Sequence, residues 1–215
     1  MSNIITVNKV TKQYEKIKVL DDVSLTIEQG KIYGIVGRNG SGKTVLFKCI
    51  CGFIPLTFGE IIVYNKKIGV DIDVPNNVGI IIETPGFLPS YSGIKNLKLL
   101  AKINNKIGIK EIISSLGKVG LDHTMKKPVS QYSMGMRQRL GIAQAIMENP
   151  DILILDEPMN GLDNDGVEDM RKLFLSLKEE GKTILLASHS REDIDVLCDV
   201  VYEMDNGYLI TRQQA

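Results

Sequence analysis

The eight residues Gly37-Arg38-Asn39-Gly40-Ser41-Gly42-Lys43-Thr44 constrain this 215-residue chain more than any other segment. They follow a nearly continuous apolar run, Lys31 to Val36, and open a helical pattern in which Leu46, Cys49, Ile50 and Phe53 share one face. A strand, a loop of GxxxxGK[ST] spacing and a helix make a cradle for phosphate. Glycines let the backbone wrap closely, so that the N–H groups from Gly37 to Gly42 point inward. Lys43 supplies a point charge to the β and γ phosphates, the Thr44 hydroxyl is a candidate Mg²⁺ ligand, and the helix N-terminus adds its dipole. The bland alternative is a glycine-rich turn with no ligand.

Two more apolar runs, Asp151 to Leu155 and Lys182 to Ala187, are continuous rather than alternating, the pattern of parallel strands covered on both faces. Ligands in open α/β sheets sit at the carboxyl ends of strands. Here those ends carry Gly37, Asp156-Glu157 and Ser188-His189, which predicts a single site. Ile4 to Thr11, Val19 to Ile27 and Glu60 to Tyr64 read as a small antiparallel sheet. From about Gly93 to Asn149 the period is helical, with Leu97, Leu100, Ala101 and Ile103 in one stripe and Leu140, Ala143, Ile146 and Met147 in another. Pro150 closes the last helix.

Lys plus Arg equals Asp plus Glu, 26 each, so there is no global electrostatic footprint for nucleic acid, although a local basic patch is compatible with the balance. No segment approaches the roughly 20 apolar residues of a membrane span, and the N-terminus lacks the pattern of a secretory signal. A cytosolic chain is the expectation. Cys49, Cys51 and Cys198 have no metal-ligand spacing and read as reduced, mostly buried thiols.

Asp156 and Glu157 end a buried strand, where adjacent carboxylates repel unless something gives them a purpose. A metal held by Asp156, and a water oriented or deprotonated by Glu157, supply one; a helix N-cap is the alternative. His189 falls where a γ-phosphate would lie and can fix the catalytic acid, against the structural role of most lone histidines. His123, in a polar stretch, reads as surface. Tyr132-Ser133-Met134-Gly135-Met136-Arg137-Gln138-Arg139 precedes the Leu140 helix, for which Ser133 alone would be a good cap.

Taken in order, these motifs resemble the ATP-binding subunit of an ABC transporter over essentially the whole chain. Ser133-x-Gly135 before Met-Arg-Gln-Arg is similar to the signature, Asn160-Gly161-Leu162-Asp163 to the D-loop, and Ser188-His189 to the switch histidine. Tyr14 matches the adenine-stacking aromatic, with plain strand packing as its alternative. The resemblance implies an α/β fold of the P-loop NTPase type: a RecA-like parallel core and antiparallel sub-domain over 1–86 and 151–215, with a helical sub-domain over 87–150. It also implies ATP and Mg²⁺ as cofactors, and head-to-tail pairing, as a homodimer or heterodimer, in which Ser133 and Gly135 of one copy, with the Asp163 loop, cap ATP on the other. A separate membrane permease would be the partner. The chain would sit on the inner face of the membrane without entering it and without binding nucleic acid.

Two departures stand out. The signature carries Tyr132, Met134 and Met136 where the family has Leu, Gly and Gln. Glu83 stands where the family usually has a Gln that reaches Mg²⁺, and its added charge would tighten the metal, repel ATP or be neutralised by protonation. Glu83-Thr84-Pro85-Gly86-Phe87 with the Tyr-Ser-Met-Gly-Met run resembles the bacitracin-resistance and lantibiotic-immunity branch, implying export of an antimicrobial peptide from a Gram-positive cell. Other readings are a soluble ABC ATPase without a transport role, or a different P-loop enzyme. A GTPase is disfavoured because Asn65-Lys66-Lys67-Ile68 fails the guanine motif at its last position.

Overall fold

The computed structural model describes residues 2–212. The chain begins with two long strands, β1 (Asn3–Tyr14) and β2 (Ile17–Glu28), then β3 (Ile32–Val36) and α1 (Lys43–Ile50). After β4 (Phe58–Val63), β5 (Lys66–Lys67) and β6 (Val78–Ile81) come three helices, α2 (Gly93–Asn104), α3 (Ile109–Lys118) and α4 (Met134–Ile146). The second half alternates: β7 (Ile152–Asp156), α5 (Asn164–Glu179), β8 (Thr183–Ala187), α6 (Arg191–Leu197), β9 (Val200–Asp205) and β10 (Tyr208–Arg212).

Two sheets result. One is four-stranded and antiparallel in the order β2-β1-β4-β5; the other is six-stranded in the order β10-β9-β3-β8-β7-β6, parallel except for β10. Strands β3, β8 and β7 are neighbours, with Ile35 and Asp156 both in register with Ala187. The three polar strand ends therefore finish side by side.

Burial explains the unbroken apolar runs. Leu153 and Leu155 of β7, with Ile184 and Leu186 of β8, join a core shared with α2 to α6. Their alternates Ile152, Ile154, Leu185 and Ala187 join the opposite core, built with α1 and the antiparallel sheet. Both faces of the large sheet are covered, so neither tolerates a polar alternate. The expected α4 stripe is buried throughout. Two expected core positions are not: Phe53 lies beyond the end of α1 and is 53% exposed, and Ile103 is 77% exposed on α2. Burial pushes the thiols of Cys49, Cys51 and Cys198 up to about 11, 12 and 12. Among the described residues no helix is long and apolar enough to cross a membrane.

Candidate functional site

The loop 37–44 leaves β3 and turns directly into α1, and its shape is enforced by its neighbours. A Cβ on Gly37 would meet the Met204 carbonyl oxygen at 2.2 Å and Ser41 Oγ at 2.7 Å, so only glycine fits there. Gly42, the N-cap of α1, has φ 112°, a conformation glycine adopts without strain. Among the described residues no N-cap side chain caps α1, which leaves its first N–H groups available to a ligand. Lys43 is buried and its Nζ donates to the carbonyls of Gly37 (2.7 Å) and Arg38 (3.2 Å), closing the loop on itself. Ser41 Oγ is buried with no hydrogen-bond partner among the described residues. An orphaned hydroxyl inside a phosphate-type loop is the kind of group a bound anion satisfies.

The neighbouring strand end meets this loop. Thr44 Oγ1 donates to Asp156 Oδ2 at 2.6 Å. One hydroxyl and one carboxylate are hard oxygen donors suited to Mg²⁺, which takes few protein ligands and completes its shell with phosphate and water. Glu157 follows with φ 50°, and its N–H donates to the Ala187 carbonyl at 3.0 Å. Its Oε2 lies 2.8 Å from His189 Nδ1. The N-cap alternative for this acid pair fails, because α5 begins only at Asn164 and is capped by Asp163, which accepts from the Gly166 N–H at 3.0 Å.

A cleft of about 680 Å³ opens above these groups. Residues 39–45 form one wall, and Glu83, Met134, Gln138, Asp156 and Glu157 face them. Gln138, which sequence reasoning passed over, donates through Nε2 to the carbonyls of Glu157 (3.3 Å) and Pro158 (3.0 Å), fixing the turn that presents Glu157. Its only signal was its place in the Arg-Gln-Arg run. Lys48 was also missed. It lies one turn after Thr44 on α1 and pairs with Glu83 at 2.7 Å. The Glu83 carboxylate, 64% exposed, is thus engaged by a lysine rather than by the Thr44–Asp156 pair.

The remaining predicted residues lie outside the cleft. Ser133 caps α4, accepting from the Met136 N–H at 3.1 Å. Gly135 packs so tightly that a Cβ would come 2.8 Å from the Gly161 carbonyl. Tyr132 is buried and its hydroxyl accepts from the Gly93 N–H at 3.1 Å, so the larger side chain is absorbed by the α2 terminus. Tyr14 is 45% exposed with Lys12 Nζ 4.7 Å from its ring centroid, while Val19 rather than Tyr14 lines the cleft. His123 is exposed. A polar cavity of about 550 Å³ beside His189 includes Asn160, Arg171 and Asp193.

Residues 20–160 match the family model described as ABC transporter. The chain is 44% identical, over 98% of its length and 97% of the relative's, to an uncharacterized ABC transporter ATP-binding protein of Bacillus subtilis. It is 40% identical to a bacitracin transport ATP-binding protein of Bacillus licheniformis, covering 98% of this chain and 69% of that one. A lantibiotic transport ATP-binding protein of Streptococcus pyogenes is 35% identical, with 98% and 91% covered. A nucleotide-free ATP-binding cassette from an ABC transporter superposes with TM-score 0.85 at 25% identity, covering 100% of this chain and 92% of that one. A dimeric bacterial ABC transporter cassette gives 0.88 at 24% identity, covering 97% and 98%, which speaks to the fold.

Proposed function

Because this chain belongs to the ABC transporter family as its ATP-binding ATPase subunit, we propose that it drives a separate membrane permease that exports an antimicrobial peptide or drug. What carries its ATP-hydrolysing part is the convergence of loop 37–44, the Thr44–Asp156 contact and the Glu157–His189 pair at one end of β3, β8 and β7.

The roles follow from the chemistry of each group. ATP phosphates lie along the amides of residues 37–42, and Lys43 exchanges its carbonyl partners for phosphate oxygens. Ser41 Oγ gains an acceptor. Thr44 and Asp156 would hold Mg²⁺, which would neutralise phosphate charge. Glu157 orients a water and takes its proton as that water attacks the γ-phosphorus, giving ADP and phosphate. His189 holds the Glu157 carboxylate and bonds the γ-phosphate. Tyr14 stacks on adenine. Ser133 and Gly135, at the positive end of α4, and Asp163 cap ATP on a partner copy. Glu83, assigned to the metal by resemblance, would stand in the same cleft with its charge offset by Lys48. Residues 87–150 form the helical unit, and the subunit sits on the inner face of the membrane.

Support for the substrate class comes from the bacitracin and lantibiotic transport names of relatives that this chain matches over nearly its full length. The test is affinity purification of the tagged chain from its own cell membranes. An integral membrane protein should co-purify, and deleting the chain should sensitise cells to bacitracin or a lantibiotic. Recovery from the cytosol with no membrane partner would favour an ABC ATPase without a transport role.

A further inference from the structure

The zero net charge conceals a segregation. Residues 84–110 hold five lysines, at 95, 98, 102, 106 and 110, and no aspartate, glutamate or arginine. Lys95, Lys98 and Lys102 stand at i, i+3 and i+7 on α2, one stripe of its surface, and all are exposed. Leu97 and Ala101 bury the opposite face. Lys106 follows in the connection to α3. None of these five lysines has an ion pair among the described residues. The nearby acid Glu148 is occupied by Asn104, which donates to both its oxygens at 3.0 Å.

Helix stability accounts for only part of this ladder: Lys102, in the last turn of α2, complements the dipole. Lys95 lies in the first turn of α2, where no acid is present and a cation opposes the dipole; its Nζ rests over the Tyr91 ring, 3.7 Å from the centroid. Lys98 and Lys102 are like charges four residues apart, which repel. Beside the stripe, large aliphatic side chains stand in the open: Leu99 is 38% exposed, and Ile103, at the rim of a cavity of about 560 Å³ that Phe53 and Leu100 also line, is 77% exposed. Such a cationic stripe beside exposed aliphatics is complementary to a surface that is negatively charged and also accepts apolar groups.

We propose that this face of α2 rests on an anionic membrane surface, with the lysines among acidic headgroups and Leu99 and Ile103 in the interfacial zone. Cations with aliphatics on one helix face are the pattern of an interfacial helix. The ladder is all lysine, flexible point charges that suit a diffuse negative surface, whereas recognition of fixed carboxylates on a protein favours the arginine fork. The claim is independent of the transported substrate, and vesicle binding is read separately from ATP turnover, so either reading can fail alone.

Co-sedimentation of the full chain with vesicles tests it. Vesicles of phosphatidylcholine with phosphatidylglycerol should carry the protein down, and phosphatidylcholine alone should not. Each lysine near such a surface contributes about fivefold, so Lys98→Gln with Lys102→Gln should lower the partition coefficient about 25-fold. ATP turnover in solution should stay at the parent rate. Raising salt from about 0.1 M to about 1 M shortens the Debye length from roughly 10 Å to 3 Å and should release the protein. Ile103→Ser should weaken binding to the anionic vesicles without altering its salt dependence. Equal sedimentation of parent and double variant, or no preference for anionic vesicles, overturns the proposal. So does capture of an acidic segment of the permease through Lys98 while the vesicles are ignored.

Discussion

Arg171 offers the sharpest test of how the second half of the chain is held together. It lies on α5, and its Nε and Nη2 donate to Asp193 Oδ1 at 2.9 and 2.6 Å, while Nη1 donates to Glu192 Oε1 at 2.8 Å. The Arg171 and Asp193 side chains are 10% and 5% exposed. Both carboxylates belong to the first turn of α6, which starts two residues after His189 and is capped by Ser190. Arg171→Met therefore leaves the Asp193 charge buried without its partner, a loss of about 3 kcal/mol. For a chain of this size each kcal/mol moves Tm by about 2–4 °C, so the variant should melt about 6–12 °C lower without nucleotide. Adding Asp193→Leu removes the stranded charge and should restore stability to within about 1 kcal/mol of the parent, since hydrophobic replacement of a buried pair is near neutral. Differential scanning calorimetry of parent, both single variants and the double variant supplies the cycle. A single variant melting within about 2 °C of the parent, or a double variant no more stable than Arg171→Met, refutes the reasoning.

Further outcomes follow from the site. Glu157→Gln should retain ATP binding, turn over at least about 100-fold more slowly and accumulate as an ATP-bound dimer; hydrolysis at the parent rate contradicts the base assignment. Glu83→Gln frees Lys48 from its ion pair and should change the Mg²⁺ dependence of hydrolysis while leaving ATP binding in place, so superimposable Mg²⁺ titrations count against it. Ser133→Arg should bind nucleotide at loop 37–44 yet fail to form the ATP-dependent dimer, as gel filtration with ATP can show. Burial favours the neutral thiol and raises Cys49, Cys51 and Cys198 to about 11, 12 and 12, so an alkylating reagent at about pH 8 should label the native protein slowly and the unfolded chain fully.

Much of the fold was legible because its strongest signals are local. A parallel strand buried on both faces must be continuously apolar, and β3, β7 and β8 read that way. The loop 37–44 combines Gly37 and Gly42, which their neighbours force, with a lysine and a threonine at a fixed offset, so it announces itself in any context. Strands β9 and β10 gave no comparable signal in the sequence: the apolar run of β9 is broken by the exposed Glu203 and Asp205, and β10 is an edge strand. Phe53 and Ile103 fitted their helical stripes by spacing, yet one falls past the helix end and the other faces out, because periodicity says nothing about where a partner element stops.

The residue types of the site, their order and the polar strand ends were determined by the sequence alone. Only the tertiary structure decided which of them meet. Strand order sets Asp156 against Thr44 and Glu157 against His189 across long separations in the chain. It also gives Glu83 to Lys48, and it turns Lys95, Lys98 and Lys102 outward as a field that a net charge of zero hides. Pairing is a matter of distance, and charge acts locally over about a Debye length, so neither is visible to composition, which averages over the whole chain.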